Sequence, residues 1–337
     1  MIFLSVFLFI LMVAGLSDPA VTTRVLDDDR RRRRRFRDGA PAVCAPSPAA
    51  AFTIVIPTYN ERERIGVLLE RVFDVCDREG LAIEVVIVDD NSADGTGVVA
   101  DEWARRRRVR VIHRSGKLGL GSAVLEGFAI ARTDVVGVMD GDLSHPPELL
   151  PRLFRTIADG HVDLAVGSRY VRGGGTSNFP IGRWLLSRAG CWLARPLTPV
   201  RDAMSGFFLI RRTHLDGFRT SVTGFKIGLE LFVRSQPRRL AEVGYVFVGR
   251  TLGESKMRVA EGTGFLRQLM RLYRDACAAP VRRPACVTIS PDQERAASQE
   301  RAASASRSGA LRPRTAFHSG PPPSSAITTA PADVLNP

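Results

Sequence analysis

Thr133–Glu148 reads TDVVGVMDGDLSHPPE, and its interpretation decides the fold. Val135, Val136, Val138 and Met139 form a nearly continuous apolar run, the pattern of a strand covered on both faces in a parallel sheet. A central strand is therefore expected. Asp140-Gly141-Asp142 follows, two carboxylates around a residue that lets the backbone bend and a ligand approach. Pro146 and Pro147 suit the first turn of a helix, where a missing N–H costs nothing. Strand, acidic turn and helix make a ligand-site layout, because open α/β sheets bind ligands beyond the carboxyl ends of their strands. Two readings of the carboxylates stand at this point. One is a solvated turn with Asp142 or Ser144 capping the helix; the other is a pair of hard oxygen ligands for a divalent cation that holds a diphosphate.

The surrounding chain has 337 residues, 45% of them hydrophobic, enough for a substantial core. Its net charge of +13 is uneven: Phe52–Met257 holds 29 basic and 24 acidic residues, +5, which leaves +8 in the flanks. Lysine occurs only as Lys117, Lys226 and Lys256, so each is more notable than usual in an arginine-rich chain. Cys44, Cys76, Cys191, Cys277 and Cys286 show no CxxC or metal-ligand spacing, and reduced thiols in a cytosolic compartment are expected.

Residues 1–50 read as an apolar segment and a linker. Met1–Leu16 is shorter than the ~20 residues of a spanning helix. It fits an anchor, a signal-peptide core without the usual basic start, or sequence upstream of the true start. Arg30–Arg35 and Arg37 lie in a Pro/Ala-rich stretch expected to be disordered, either solvated or drawn to anionic lipid. No aromatic platform accompanies these arginines, so nucleic-acid binding is not expected.

Ordered structure is expected over residues 51–279. Phe52–Ile56, Glu84–Val88, Val109–His113 and Asp163–Ser168 read as further strands, the first stopped by Pro57. Between them Glu61–Arg78, Gly95–Arg107, Leu118–Ala131 and Pro147–Asp159 show helical spacing. This alternation predicts an α/β, Rossmann-like, doubly wound and mainly parallel sheet with helices on both faces. Gly119-Leu120-Gly121 lacks the full dinucleotide fingerprint, and there is no P-loop. Farther on, Ile181–Leu197 and Lys226–Arg234 read as helical, and Phe207–Ile210 and Leu240–Val248 as strands. Gly264–Ala276 sets Phe265, Leu266, Leu269, Met270, Leu272 and Tyr273 against Arg267, Arg271 and Arg274. Such a helix either packs on the sheet or lies in a membrane interface. Residues 280–337 are expected to be a disordered tail.

Three strand ends carry polar groups: Pro57-Thr58-Tyr59-Asn60-Glu61, Asp89-Asp90-Asn91-Ser92 and Asp140-Gly141-Asp142. Parallel strands place all three at one edge, which favours a site. With IPTYNE, VDDNSADGT, MDGDLSHPPE, GSRY followed by GGG, SGFFLIRR and GRTLGESK in order, Phe52–Met257 resembles the GT-A glycosyltransferases of family 2. Within them it resembles the polyprenol-phosphate (dolichol-phosphate) mannosyltransferases. The resemblance implies a GT-A sheet with antiparallel strand additions. Pro57, Tyr59, Glu61, Val88, Asp90, Asp140, Gly141, Asp142, Arg250 and Lys256 would bind the nucleotide sugar. Asp140, Asp142 and Ser144 would hold Mg²⁺ or Mn²⁺, with Ser144 standing where many relatives carry glutamine. Arg169, Arg183 and Ser187 would receive the acceptor phosphate, and Asp142, Arg169, Arg250 and Lys256 would serve catalysis. Asp89 reads as a turn residue and His145 as structural.

The implied reaction moves mannose from GDP-mannose to polyprenyl (dolichyl) phosphate with inversion. A family-2 enzyme using another nucleotide sugar, such as UDP-glucose, and a noncatalytic nucleotide-sugar or membrane-binding module are the alternatives. The expected location is the cytoplasmic face of a membrane, peripheral or anchored by the N-terminal segment, through lipid or a membrane-protein partner. Gly264–Ala276 is the expected docking helix. Replacing Arg169 by alanine is expected to weaken transfer with little change in melting temperature.

Overall fold

The structure, a computed structural model, describes residues 51–160, 162–216, 226–249, 259–278 and 284–289. Strands β1 (Phe52–Thr58), β2 (Ile83–Asp89), β3 (Val109–His113), β4 (Val135–Val138) and β5 (Leu164–Ser168) alternate with helices α1 (Arg62–Arg78), α2 (Thr96–Ala104), α3 (Leu120–Ile130) and α4 (Leu150–Ala158). Then come β6 (Gly175–Ser177), α5 (Ile181–Ala194), β7 (Phe208–Arg211), α6 (Ile227–Arg234), β8 (Arg239–Gly244), β9 (Val246–Val248), α7 (Val259–Ala278) and β10 (Ala285–Ile289). Eight strands form one sheet in the order β10-β8-β5-β7-β4-β1-β2-β3. All pairs are parallel except those of β7, which runs against β4 and β5. The doubly wound, mainly parallel sheet with an antiparallel addition is the expected one, and β4 lies inside it.

Both faces are covered because the strands are apolar on both sides. Ile54, Ile56, Val85, Ile87 and Met139 join Leu68, Leu69 and Leu153 of α1 and α4 on one face. Val55, Val86, Val136 and Val138 join Val124, Phe128 and Leu231 of α3 and α6 on the other. A polar network closes the amino-terminal end of the strands: Thr53 Oγ1 donates to Glu84 Oε2 (2.7 Å) and lies 2.8 Å from Thr133 Oγ1.

Four expectations need correction. Pro57 does not stop β1, because β1 pairs with β4 only as far as Val55, so on that side Pro57 has no ladder bond to lose. Leu240–Val248 is two strands: β8 stays in the main sheet, while β9 pairs with β6 in a separate two-stranded sheet. The expected tail contains β10, whose β-branched run ACVTI extends the sheet alongside β8. Finally, the helix around Gly264–Ala276 is a packing element. Leu269 and Leu272 are buried with Ala194, Leu197, Leu229 and Val233, and Tyr273 Oη donates to Leu193 O (2.6 Å). Among the described residues no helix is long and apolar enough to cross a membrane.

Candidate active site

The acidic turn is held from both ends. Met139 N donates to Val55 O (3.1 Å), keeping the chain on β1 to the last residue before Asp140. A Cβ on Gly141 would come within 3.3 Å of Thr58 Cγ2 and 3.5 Å of Pro57 O, so the turn lies close against the end of β1. Asp142 Oδ1 accepts from Ser144 N (3.0 Å) and Ser144 Oγ (2.5 Å), while Leu143 takes φ +64°. Ser144 is buried, and its hydroxyl is directed at Asp142. Asp140 and Asp142 are half-buried.

His145 forms the floor. Its Nδ1 accepts from Asp140 N (3.1 Å), its Nε2 lies 3.8 Å from Asp140 Oδ2, and its ring stacks on Phe207 at 5.0 Å. Burial pushes its pKa down against the pull of Asp140 and Asp142. A neutral ring supporting the turn is the structural role its position suggested.

The second strand end sorts its two aspartates. Asp89 accepts from Thr58 Oγ1 (2.9 Å) and from Ser92 N (2.9 Å) and Oγ (2.6 Å), which makes it a turn residue. Asp90 pairs with the buried Arg114 and accepts from Gly119 N (3.0 Å), fixing the loop before α3. Tyr59 is exposed, with Lys117 Nζ 3.8 Å from its ring centre. Glu61 Oε2 receives Arg64 Nη1 at 2.8 Å. The Val88 side chain is in the core, so only its backbone can touch a ligand.

Across β7 the cationic side is built differently. Arg169 donates to Asp202 three times: from N to Oδ2 (2.9 Å), from Nε to Oδ2 (2.7 Å) and from Nη2 to Oδ1 (2.7 Å). Nη2 also reaches Ser187 Oγ (3.2 Å), which accepts from Tyr170 Oη (2.9 Å). Asp202 is fully buried, and its N–H donates to the fully buried Glu242 at Oε1 (3.1 Å). Arg201 N donates to Glu242 Oε2 (2.9 Å). Asp202 holds the Arg169 pKa above its ordinary value despite desolvation, while burial pushes that of Glu242 up. Arg183 is half-buried with its guanidinium 5.1 Å from the Phe179 ring centre.

Arg169 and Ser187 are thus brought together as expected, but Arg169 is committed to a buried fork. Removing one partner of such a pair costs about 3–5 kcal/mol. This overturns the expectation that Arg169→Ala would spare the melting temperature. Sequence reasoning missed Asp202 and Glu242, since no local pattern links them to an arginine 33 residues away in the one case and a loop 40 residues away in the other. It also missed Lys226, half-buried at the start of α6. Burial lowers its pKa, partly offset by Asp140, which puts its ammonium in the field of the acidic turn. Its rarity in an arginine-rich chain was the available signal. Arg250 and Lys256 lie outside the described residues.

Among the described residues no group of three His, Cys, Asp or Glu side chains could hold a metal ion. Two half-buried carboxylates on one turn nevertheless fit Mg²⁺ or Mn²⁺, which commonly take one or two carboxylates and fill their remaining positions from phosphate and water.

The model of the family described as glycosyl transferase family 2 matches residues 53–218. A dolichol-phosphate mannosyltransferase of Pyrococcus furiosus is 39% identical over 226 residues, covering 66% of this chain and 63% of that protein. The match therefore spans less than two thirds of the Pyrococcus protein. A dolichol-phosphate mannosyltransferase of Saccharomyces cerevisiae is 37% identical over 233 residues, 66% of this chain and 86% of that protein. A polyprenol monophosphomannose synthase of Mycolicibacterium smegmatis is 39% identical over 222 residues, 62% and 82% of the respective chains.

Proposed function

This chain belongs to glycosyl transferase family 2, and from that membership we propose that it transfers mannose from GDP-mannose to a polyprenyl (dolichyl) phosphate, with inversion. The observation that carries the reading is the pairing of an acidic turn after β4 with an arginine–serine pair after β5, at one sheet edge with β7 between them. Strands are about 4.8 Å apart, so the two groups are separated by roughly 9.6 Å along the sheet. That gap suits a sugar lying between a diphosphate and an incoming phosphate.

Pro57, Tyr59, Glu61, Asp90 and the Val88 backbone would hold the nucleotide, and Asp140, Gly141 and Asp142 the diphosphate end. Asp140 and Asp142 would bind Mg²⁺ or Mn²⁺, and Ser144 would orient Asp142 through its hydrogen bond. When bound, the cation supplies positive charge that offsets the charge growing on the departing diphosphate. Lys226, with Arg250 and Lys256, would add further cations there.

On the other side Arg169, Ser187 and Arg183 would orient the acceptor phosphate, Arg169 through a guanidinium already fixed by Asp202. Its oxygen attacks the anomeric carbon from the face opposite the diphosphate. That oxygen is anionic near neutral pH, so no side chain has to remove a proton. The buried, neutral His145 is accordingly left to support the turn. A long isoprenoid tail keeps the acceptor in a bilayer, so the reaction belongs at a membrane surface, on the cytoplasmic face.

The test is transfer to lipid from separately radiolabelled GDP-mannose, UDP-glucose and UDP-GlcNAc, with and without a chelator. Lipid-linked label from GDP-mannose alone, lost with chelator and restored by Mn²⁺ or Mg²⁺, is expected. Label from a uridine donor alone would assign another family-2 reaction, and nucleotide binding without any transfer would favour the noncatalytic module.

A further inference from the structure

Of the chain's three lysines, Lys226 and Lys256 fall to the cationic side of the proposed site, and Lys117 is left over. It lies in the loop between β3 and α3, which is pinned to one side chain from both ends. Arg114 at the start of the loop pairs with Asp90 through Nη1, and Gly119 at its end donates its N–H to Asp90 Oδ2 (3.0 Å). Arg114 N also donates to Asp89 O (2.9 Å) and Arg114 Nη1 to Gly119 O (3.3 Å), so the arch that carries Lys117 is closed at its base. Asp90 N donates to Thr58 O (3.0 Å), which brings the following residue, Tyr59, beside the arch. Lys117 Nζ crosses to that ring and lies 3.8 Å from its centre.

An ionised carboxylate offers about four lone-pair positions. Arg114 takes one on Asp90 Oδ1 and Gly119 N one on Oδ2, which leaves one on each oxygen. The Asp90 side chain is 8% exposed, a narrow opening through which a pair of parallel N–H groups can reach both oxygens. Tyr59, 42% exposed, offers a flat surface for a planar ring. The ammonium over that surface is a donor on a flexible stem, and its exposed cation–π contact is weak enough to be exchanged for a charge-assisted hydrogen bond. Two acceptors and a donor therefore converge beside an aromatic face, the equipment for reading the edge of a nucleobase. Of the common bases, guanine alone presents two N–H donors followed by a carbonyl along one edge. Uracil has one N–H between two carbonyls, and adenine and cytosine set one amino donor beside an acceptor nitrogen.

We propose that Lys117 determines base specificity: as the base takes its place on Tyr59, the ammonium moves from that ring to O6 of a guanine whose N1–H and 2-amino group donate to Asp90. The proposal deepens the GDP-sugar reading given above and rests on it for where the nucleotide lies. A site built to hydrogen-bond an edge rejects bases that leave its polar groups unpaired.

Calorimetric titration of the full-length protein with GDP, 6-thio-GDP, inosine diphosphate and UDP, each with Mn²⁺, tests it. 6-Thio-GDP replaces O6 by sulfur, a weak acceptor, and keeps both donors. Inosine diphosphate keeps the carbonyl and N1–H and lacks the amino group. The wild type should bind GDP most tightly, with 6-thio-GDP and inosine diphosphate each about tenfold weaker. Lys117→Met should weaken GDP and inosine diphosphate about tenfold and leave 6-thio-GDP unchanged within about twofold. Lys117→Arg should restore the preference for GDP over its sulfur analogue. Every probe carries the same diphosphate, so attraction of the lysine to phosphate cancels from the comparison. If Lys117→Met weakens GDP and 6-thio-GDP equally, or weakens neither, while GDP still binds more tightly than UDP, the proposal is overturned and the GDP-sugar reading stands. UDP bound by the wild type as tightly as GDP would overturn both. A lysine effect confined to the bases with a carbonyl, without mannose transfer, would uphold the proposal and overturn the transfer reading instead.

Discussion

The acidic turn after β4 and the arginine cluster after β5 carry opposite charges at one sheet edge, yet they are built in different ways. Asp140 and Asp142 are half-buried, and the turn they stand on is tied by hydrogen bonds from Asp140 N to His145 and from Ser144 to Asp142, all within five residues. Arg169, Asp202 and Glu242 are buried and joined across 33 and 40 residues. The contrast teaches that motif residues are not equivalent. A half-exposed carboxylate on a local turn can be spent on a ligand, whereas a buried forked pair is first a part of the fold.

The strongest way to break this contrast is Arg169→Ala. It should destabilise the protein by about 3–5 kcal/mol by leaving Asp202 buried and uncompensated. Denaturant unfolding measures this, and a loss below 1 kcal/mol would put Arg169 in the same class as the acidic turn. Next, Asp142→Ala should lower turnover by about 100-fold, equivalent to ~2.7 kcal/mol. Steady-state transfer at limiting Mn²⁺ is the readout, and near-normal turnover would remove Asp142 from the reaction.

A smaller effect concerns Glu242, whose pKa is raised in the fold. Between its unfolded pKa and the raised folded value the native state binds the extra proton, so stability falls as pH rises through that window. The slope reaches at most about 1.4 kcal/mol per pH unit. Subtracting the pH–stability curve of Glu242→Gln from that of the wild type isolates it, and a flat difference would mean the carboxyl is not desolvated as described. The smallest expected change is the effect of Asp142→Ala on folding, about 0.5–1.5 kcal/mol for its turn hydrogen bonds. A calorimetric loss well above that would erase the distinction between the two clusters.

The parallel half of the sheet was legible because β1, β2 and β4 are apolar on both faces and end in polar turns. Asp89 and His145 were legible as structural residues for the same local reason. β6 and β9 were not, since three-residue strands carry no usable period, and β10 is recognisable only through its partner β8. The two helices α5 and α7 show a deeper limit. Sequence gives the angle between apolar and charged side chains but not the side on which the protein lies. α7 therefore reads as a membrane helix while packing Leu269 and Leu272, and α5 attracts no notice while exposing Ile181 and Trp192. Asp202 was hidden because its partner is set by topology alone.

That topology also imposes an order of synthesis. β1 to β4 are complete once Val138 is made, but β4 lacks its second neighbour until Phe208–Arg211 emerges to become β7. At ~5–20 residues per second, the roughly 70 intervening residues take about 4 to 14 s. During that interval Val135–Val138 is an open apolar strand edge, the kind of template on which nascent chains join one another. The strand that lies between the acidic turn and the arginine–serine pair in the finished protein is thus, on the ribosome, the piece whose late arrival leaves the chain most open to aggregation and most in need of a chaperone.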